Sequence, residues 1–127
     1  MVTTVLIVDD SKLARIVAAK ALAALQPEWD RVEASNAQEA LTILGERKID
    51  VAMIDFNMPE KDGLELATEI RSSFPTMPIA VITANIQDEV IAQAREVNAT
   101  FVSKPLTEDG LRGFISGAAL RLRSNAA

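Results

Sequence analysis

Polar and charged side chains follow several short apolar runs of the sequence, and their types could support chemistry. They are Asp9 and Asp10 after the first run, Asp55 and Thr83 at the ends of later runs, and Lys104, which precedes Pro105, near the end of the chain. Singly, each has an ordinary explanation, because an aspartate after a strand commonly caps a helix or forms a turn. Three carboxylates brought to one place, however, would repel one another unless a cation joined them. Lys104 supplies one positive charge, and the remaining negative charge suits Mg²⁺, a hard cation that prefers oxygen ligands.

The strands that would have to position these groups are indicated by repeated changes in apolar periodicity. Continuous apolar runs at 5–8, 51–54 and 79–82 are typical of strands that are buried on both faces of a parallel sheet. Segments 31–34 and 100–103 are more polar, so we expect them at the two edges of that sheet.

Between the strands, apolar residues recur at helical spacing and predict five amphipathic helices. The stripe of the first helix, which we expect to be its buried face, comprises Leu13, Ile16, Val17, Ala21, Ala24 and Leu25. Ser11 is a candidate N-cap of this helix, and Asn36 with Glu39 has the spacing of a capping box at the second. Pro27 and Pro75 come where the first and third helices should have ended.

Five alternating strands and helices predict an α/β fold in which helices cover both faces of a parallel sheet, because each β-α-β crossover is right-handed. With strands two and five at the edges, the strand order is 2-1-3-4-5 and the topological switch point lies between strands one and three. Ligands of such sheets bind beyond the carboxyl ends of the strands at the switch point. The acidic pair, Asp55, Thr83 and Lys104 should therefore meet at one rim.

Composition indicates one globular domain. The chain has 127 residues, 49% hydrophobic and 24% charged, and no apolar stretch long enough to span a membrane. It has no cysteine and no secretory signal, so we expect a cytoplasmic protein. A formal net charge of −5 argues against nucleic-acid binding. We expect a single domain over residues 1–127, with a core from about 4 to 122 and a flexible tail at 123–127.

Four spaced motifs resemble those of the receiver domains of two-component response regulators, most closely the single-domain chemotaxis type. They are "LIVDDS", "VAMIDFNMPEKDGLEL", "IAVITAN" and "FVSKP", and the resemblance extends from Val5 to about Arg121. It implies a flavodoxin-like, doubly wound (βα)5 fold with three layers. It also implies Mg²⁺-dependent transfer of a phosphoryl group to this chain from a sensor histidine kinase or a phosphotransfer protein. Such a receiver is a signalling module that catalyses only its own phosphorylation and dephosphorylation.

The resemblance also implies a role for each acidic residue of the rim. Asp55 would be the phosphoacceptor and a ligand of Mg²⁺. Asp10 would bind Mg²⁺ directly, Asp9 directly or through water, and the backbone carbonyl of Asn57 would complete the protein ligands. Asn57 and Asn85 would flank the path of the water that hydrolyses the acyl phosphate and so influence its lifetime.

The remaining rim residues would stabilise the phosphoryl group and report its arrival. Thr83 would donate its hydroxyl to one phosphoryl oxygen and Lys104 its ammonium to another. As Thr83 moves, Phe101 would rotate inward and reshape the face of helix four, strand five and helix five for a downstream protein. Many relatives carry tyrosine at this position, and Phe101 lacks the hydroxyl of that tyrosine. The Lys104-Pro105 peptide bond is expected to be cis, as in the family.

Several alternatives remain open at this stage. A phosphohydrolase of the haloacid-dehalogenase type also uses an aspartyl phosphate, but it needs an acidic residue two positions after the nucleophile, where this chain has Asn57. A flavin-binding electron carrier shares the fold, but its neutral phosphate loop is replaced here by Asp9-Asp10. The chain could also be a docking module that is never phosphorylated, or a receiver excised from a larger regulator. We expect a monomer, with a phosphorylation-dependent dimer as the alternative.

Overall fold

The computed structural model describes residues 2–84 and 87–126, with side chains as far as Ser124. Strands and helices alternate along the described chain in the order β1 Thr4–Val8, α1 Lys12–Leu25, β2 Asp30–Ala34, α2 Ala37–Glu46, β3 Val51–Asp55, α3 Gly63–Ser73, β4 Ile79–Thr83, α4 Asp88–Glu96, β5 Thr100–Ser103 and α5 Glu108–Ala126. In the described ranges, no helix is both long enough and apolar enough to cross a membrane.

The strands form one parallel sheet in the order β2-β1-β3-β4-β5, which confirms the predicted topology. Every residue of β1, β3 and β4 is buried, whereas the edge strands β2 and β5 bury one residue each. The continuous apolar runs therefore belong to the central strands, as expected for a sheet that is covered on both faces.

Two layers of helices cover the sheet. Side chains alternate along each strand, so they pack against both layers. Leu6 and Val8 of β1 belong to the apolar core on the side of α2, α3 and α4. Val5 and Ile7 belong to the core on the other side, with α1 and α5. The predicted three-layer, doubly wound architecture is confirmed.

Helix starts follow the capping signals in the sequence, with one difference. Ser11 Oγ accepts the Ala14 N–H at 3.2 Å and caps α1 as predicted. Asn36 caps α2 by accepting the Glu39 N–H at 2.8 Å, but Glu39 reaches back to the N–H of Ser35 at 3.2 Å. The glutamate thus bonds the residue before the cap, and the bonds of a capping box are not closed on Asn36 itself.

The predicted buried stripe of α1 is wrong over its first two turns and again at Ala24, which is exposed. Leu13 is 71% exposed, Ile16 40% and Val17 42%, and the helix buries Ala18, Ala21 and Leu22 instead. Successive residues are rotated by about 100° around a helix, which places these three exposed residues about 100° or more away from Ala18. Because α1 is apolar on more than one side, periodicity alone could not identify the side that packs.

The ends of the first and third helices agree with the proline signals. The carboxyl end of the chain differs from the expectation of a tail. α1 ends at Leu25 and α3 at Ser73, each two residues before a proline. α5 continues to Ala126, so its helix includes most of the 123–127 segment that was expected to form a tail. Arg123 and Ser124 are exposed, and Ala118 is the last buried residue among the side chains of α5 that the structure describes.

Candidate metal and phosphoryl site

Three carboxylates meet beyond the carboxyl ends of β1 and β3. Asp9, Asp10 and Asp55 each offer an oxygen atom, and these atoms lie within 4.8 Å of one another. Asp9 and Asp55 are buried, and Asp10 is exposed. We call these three residues the acidic cluster. β1 and β3 are neighbours at the topological switch point, so the structure brings together the acidic residues that the sequence placed there.

Asp55 is the last residue of β3, and its side chain is 3% exposed. Lys104 Nζ lies 2.6 Å from Asp55 Oδ1. Apart from this ion pair, no hydrogen bond from the described residues reaches that buried oxygen. A buried carboxylate oxygen with one cationic neighbour retains capacity for a further ligand.

The backbone after Asp55 is held tightly by its neighbours. The Phe56 N–H donates to the Ile82 carbonyl at 2.8 Å, and the Gly63 N–H donates to the Phe56 carbonyl at 2.9 Å. A Cβ atom on Gly63 would lie 2.3 Å from the carbonyl oxygen of Asp55. The first residue of α3 must therefore be glycine for the helix to pack against Asp55, because there is no space for a Cβ atom.

Asp9 is fixed by hydrogen bonds at its backbone and its side chain. Its N–H donates to the Ala34 carbonyl of β2 at 3.1 Å, and its Oδ1 accepts the Ser11 N–H at 2.9 Å. Its carbonyl oxygen accepts a hydrogen bond from Arg15 Nη1 at 2.7 Å. Asp9 thereby joins β1, β2 and α1 at the edge of the acidic cluster.

Burial makes the cluster electrostatically unfavourable when its carboxylates are charged. Burial raises the pKa of Asp55, and the bond and charge of Lys104 offset only part of that rise. Burial also raises the pKa of Asp9, with Asp55 adding to the effect and the Ser11 N–H opposing it. Burial opposes the charge of Lys104, but the carboxylates of Asp55 and its neighbours outweigh it and raise the pKa of Lys104.

These features fit a hard divalent cation. Three carboxylates face one lysine, and one buried oxygen has spare acceptor capacity. Oxygen ligands with excess negative charge are the set that Mg²⁺ uses in proteins, with water filling the rest of its octahedron. Asn57 is exposed and lies two residues after Asp55 in the loop before α3.

The other predicted residues lie on β4 and β5 beside the cluster. Thr83 is fully buried at the end of β4, where it pairs with Ser103, and its carbonyl accepts the Lys104 N–H at 3.0 Å. Phe101 is half-buried on the edge strand β5, opposite Val81. The Lys104-Pro105 peptide bond is cis, the isomer expected from the sequence. Asn85 lies outside the described residues.

Sequence reasoning missed Arg15, and it identified Ser11 only as a helix cap. Both residues contact Asp9 through backbone groups, Ser11 with its N–H and Arg15 at the Asp9 carbonyl. A motif search identifies side chains that can bind a ligand, whereas bonds to backbone atoms depend on how the loop turns. The adjacency of a serine to the acidic pair was the one available signal.

Comparison with known proteins gives a consistent result. The sequence model of the response regulator receiver domain matches residues 5–116. The sensor histidine kinase RcsC of Salmonella typhi is 32% identical over 124 residues, which are 97% of this chain and 13% of that protein. The positive alginate biosynthesis regulatory protein of Pseudomonas aeruginosa is 38% identical over 113 residues, 84% of this chain and 43% of that protein. The chain thus spans less than half the length of these two relatives.

Solved structures match over almost the whole chain. The chemotaxis protein CheY4 of Vibrio cholerae superposes with a TM-score of 0.82 at 26% identity, covering 93% of this chain and 99% of that one. A CheY-like receiver domain from Methanospirillum hungatei gives a TM-score of 0.86 at 20% identity, covering 98% and 99%, and this likeness concerns the fold alone.

Proposed function

The chain belongs to the family of response regulator receiver domains, and from this premise we propose that Asp55 accepts a phosphoryl group from a phosphohistidine. Receiver domains are signalling modules of two-component systems, and they interact with histidine kinases and with downstream effectors. The donor here is a sensor histidine kinase or a phosphotransfer protein. The observation that carries the proposal is the buried Asp55 carboxylate, which lies 2.6 Å from Lys104 within the acidic cluster.

The transfer forms one bond and breaks another. An Asp55 carboxylate oxygen attacks the phosphorus, the P–N bond to the donor histidine breaks, and the imidazole nitrogen leaves with the electron pair and takes up a proton. The products are an acyl phosphate on Asp55 and a neutral histidine. An anion attacking an anionic phosphoryl group is repelled, so the reaction needs cations around the incoming oxygens.

Receiver domains bind Mg²⁺ through an acidic pocket, and here Asp9, Asp10, Asp55 and the carbonyl of Asn57 would hold it. When bound, Mg²⁺ neutralises charge on the phosphoryl oxygens and on the carboxylates. The ammonium of Lys104 is already beside Asp55 and can follow a phosphoryl oxygen without a large movement. These residues orient the group and neutralise its charge, and the carboxylate supplies the electrons.

The threonine and the aromatic residue would convert phosphorylation into a change of surface. Thr83 ends β4 directly beside the site, and Phe101 lies on the neighbouring edge strand. In the proposed switch, Thr83 donates a hydrogen bond to the phosphoryl group and Phe101 moves inward. The face of α4, β5 and α5 then presents a different surface to an effector protein. Hydrolysis of the acyl phosphate, influenced by Asn57 and Asn85, reverses the switch.

Mass spectrometry tests the acceptor assignment. Incubation of the protein with Mg²⁺ and acetyl phosphate should add one phosphoryl group, and Asp55→Asn should abolish the addition. Asp50→Asn is the matched control, because Asp50 precedes the same strand but lies at its opposite end. Equal labelling of wild type and Asp55→Asn would show that another residue is the acceptor.

Hydrogen exchange tests the switch against the alternative of a passive docking module. Beryllofluoride with Mg²⁺ mimics the acyl phosphate, and we expect it to change amide exchange in β5 and the first turn of α4 while leaving α2 unchanged. Unchanged exchange at α4 and β5, with beryllofluoride bound, would favour passive docking. The chain would act in the cytoplasm as a monomer or a phosphorylation-dependent dimer, without nucleic acid or membrane, either alone or as the receiver of a larger regulator.

A further inference from the structure

Arg15 joins the loop of the acidic pair to two other elements. Its side chain is 15% exposed, although it belongs to the second turn of a surface helix. Nη1 donates to the carbonyl oxygen of Asp9 at 2.7 Å, and Nε donates to Glu33 Oε1 on β2 at 2.9 Å. We propose that Arg15 is a positioning residue for Mg²⁺ binding, which it supports by fixing the peptide between Asp9 and Asp10.

This peptide determines where the Asp10 carboxylate points. Asp9 is already held at its N–H by the Ala34 carbonyl and at its side chain by the Ser11 N–H. The Asp9 carbonyl is the atom that sets the plane of the following peptide, and Arg15 is its partner. Asp10 is exposed, so packing does little to restrict its side chain. A fixed peptide removes the backbone rotation that would otherwise carry the Asp10 oxygen away from Asp9 and Asp55.

The guanidinium is suited to this role because its donors are held in one plane. One nitrogen bonds the loop and another bonds β2, so the position of the loop is fixed relative to the edge of the sheet. A lysine would bring the same charge, but its single ammonium could not span the two acceptors with the same fixed geometry. Pre-organised ligands lose less conformational freedom when the cation binds, which increases affinity.

The proposal predicts that removal of Arg15 changes the affinity for Mg²⁺ in the direction opposite to that expected from simple electrostatics. As a positive charge near the acidic cluster, Arg15 repels Mg²⁺, so its removal alone should tighten binding. As a positioning residue, it aids binding, so its removal should weaken it. The two effects act on the same dissociation constant, and the measured direction decides which one dominates.

The inference rests on the proposed Mg²⁺ site, and calorimetric titration tests the two separately. We expect Arg15→Gln to weaken Mg²⁺ binding at least about fivefold, because a charge-assisted hydrogen bond to the loop is lost. Arg15→Lys, which keeps the charge, should also weaken it, by about threefold. Arg112→Gln is the control, because Arg112 pairs with Asp109 on the exposed side of α5, and it should bind as wild type does.

A second readout separates positioning from catalysis. In phosphorylation by acetyl phosphate, Arg15→Gln should raise the Mg²⁺ concentration for half-maximal rate by the same factor and leave the rate at saturating Mg²⁺ within about twofold of wild type. Circular dichroism confirms folding of each variant, and Arg15→Lys carries the test if Arg15→Gln does not fold. Unchanged or tighter Mg²⁺ binding in a folded Arg15 variant would overturn this inference. Absence of Mg²⁺ binding by wild type would instead overturn the proposed site.

Discussion

Polar groups at the two ends of the sheet differ in how far partners within the protein satisfy them. At the end where the strands begin, Asp50 Oδ2 accepts the Thr4 N–H at 2.9 Å, and its other oxygen lies 4.0 Å from Lys48 Nζ. At the end where the strands finish, three carboxylates share one lysine, and a buried oxygen of Asp55 has the Lys104 ion pair as its one contact of this kind within the described chain.

Arg71 is a second example of a polar group that finds its partners at the end of the sheet where the strands begin. Its guanidinium donates to the carbonyls of Val97 at 2.8 Å and of Phe74 and Asn98 at 3.0 Å each. These carbonyls lie at or just beyond the carboxyl ends of α3 and α4, where helix carbonyls lack partners and a cation is favoured. Arg71 thus ties together two helices of one layer.

The contrast separates stability from function. Groups at the amino end of the strands find their partners inside the protein, so they contribute to folding. Groups at the carboxyl end leave charge and acceptor capacity uncompensated, which makes folding less favourable and binding more so. In the proposed function, a cation and a phosphoryl group would be the partners of these groups.

The largest expected effect comes from adding one carbon atom beside Asp55. Gly63→Ala would force a Cβ into the 2.3 Å gap to the Asp55 carbonyl, so α3 or β3 must shift. We expect a loss of about 3 kcal/mol in the free energy of unfolding and strongly reduced phosphorylation. Urea denaturation and labelling by acetyl phosphate measure the two effects.

Gly45→Ala is the matched control, since nothing lies within 4 Å of a Cβ at this position of α2. We expect it to raise the free energy of unfolding by about 0.5–1 kcal/mol, because alanine is the better helix former. A Gly63→Ala protein as stable and as readily phosphorylated as wild type would show that the tight contact with Asp55 does not constrain the site.

The second effect should be confined to the opposite end of the sheet. Arg71→Ala removes three hydrogen bonds to carbonyls, and we expect the free energy of unfolding to fall by about 2 kcal/mol. Phosphorylation of the folded variant should stay close to wild type, because Arg71 lies away from the acidic cluster. Arg112→Ala, whose ion pair is exposed, should change stability by less than about 0.5 kcal/mol. Impaired labelling in Arg71→Ala would mean that the two ends are coupled.

The third effect is a gain in stability at the expense of function. Asp9→Asn keeps an oxygen that can accept the Ser11 N–H and removes a carboxylate that is buried near Asp55. Without metal at neutral pH, we expect the free energy of unfolding to rise by about 1 kcal/mol. Asp50→Asn at the other end also keeps its oxygen acceptor but relieves no such repulsion, so it should give no gain. Chemical denaturation in EDTA compares the two variants.

The gain in stability of Asp9→Asn should depend on pH, and the direction of the shift in the pKa of Asp9 determines how. The pKa of Asp9 in the folded protein is raised above 3.8, so the folded state holds the proton more tightly than the unfolded state does. Titration of Asp9 therefore lowers the stability of wild type as pH rises from about 3.8 through the raised pKa, and Asp9→Asn lacks this contribution while keeping that of Asp55. The advantage of the variant should appear over this window and vanish below it. An advantage that persists at lower pH would assign it to something other than the charge of Asp9.

Much of the fold and the acidic cluster could be predicted from the sequence because both depend on strand order. Once β1 and β3 are neighbours, the residues that end them must be close. The orientation of α1 could not be predicted, since Leu13 and Val17 continue an apolar pattern that the packing does not use. The bonds of Arg15 and Arg71 also gave no signal, because their acceptors are backbone carbonyls whose directions depend on the assembled loops.

Thermal unfolding in Mg²⁺ tests most directly the proposal that the acidic cluster at the carboxyl end of the sheet binds a cation. At constant ionic strength and a tenfold excess of Mg²⁺ over its dissociation constant, wild type should gain about 1.4 kcal/mol, or about 4 °C in Tm. Asp9→Asn should gain much less, and Asp50→Asn should gain as much as wild type. No gain in wild type, or an equal gain in Asp9→Asn, would contradict the account.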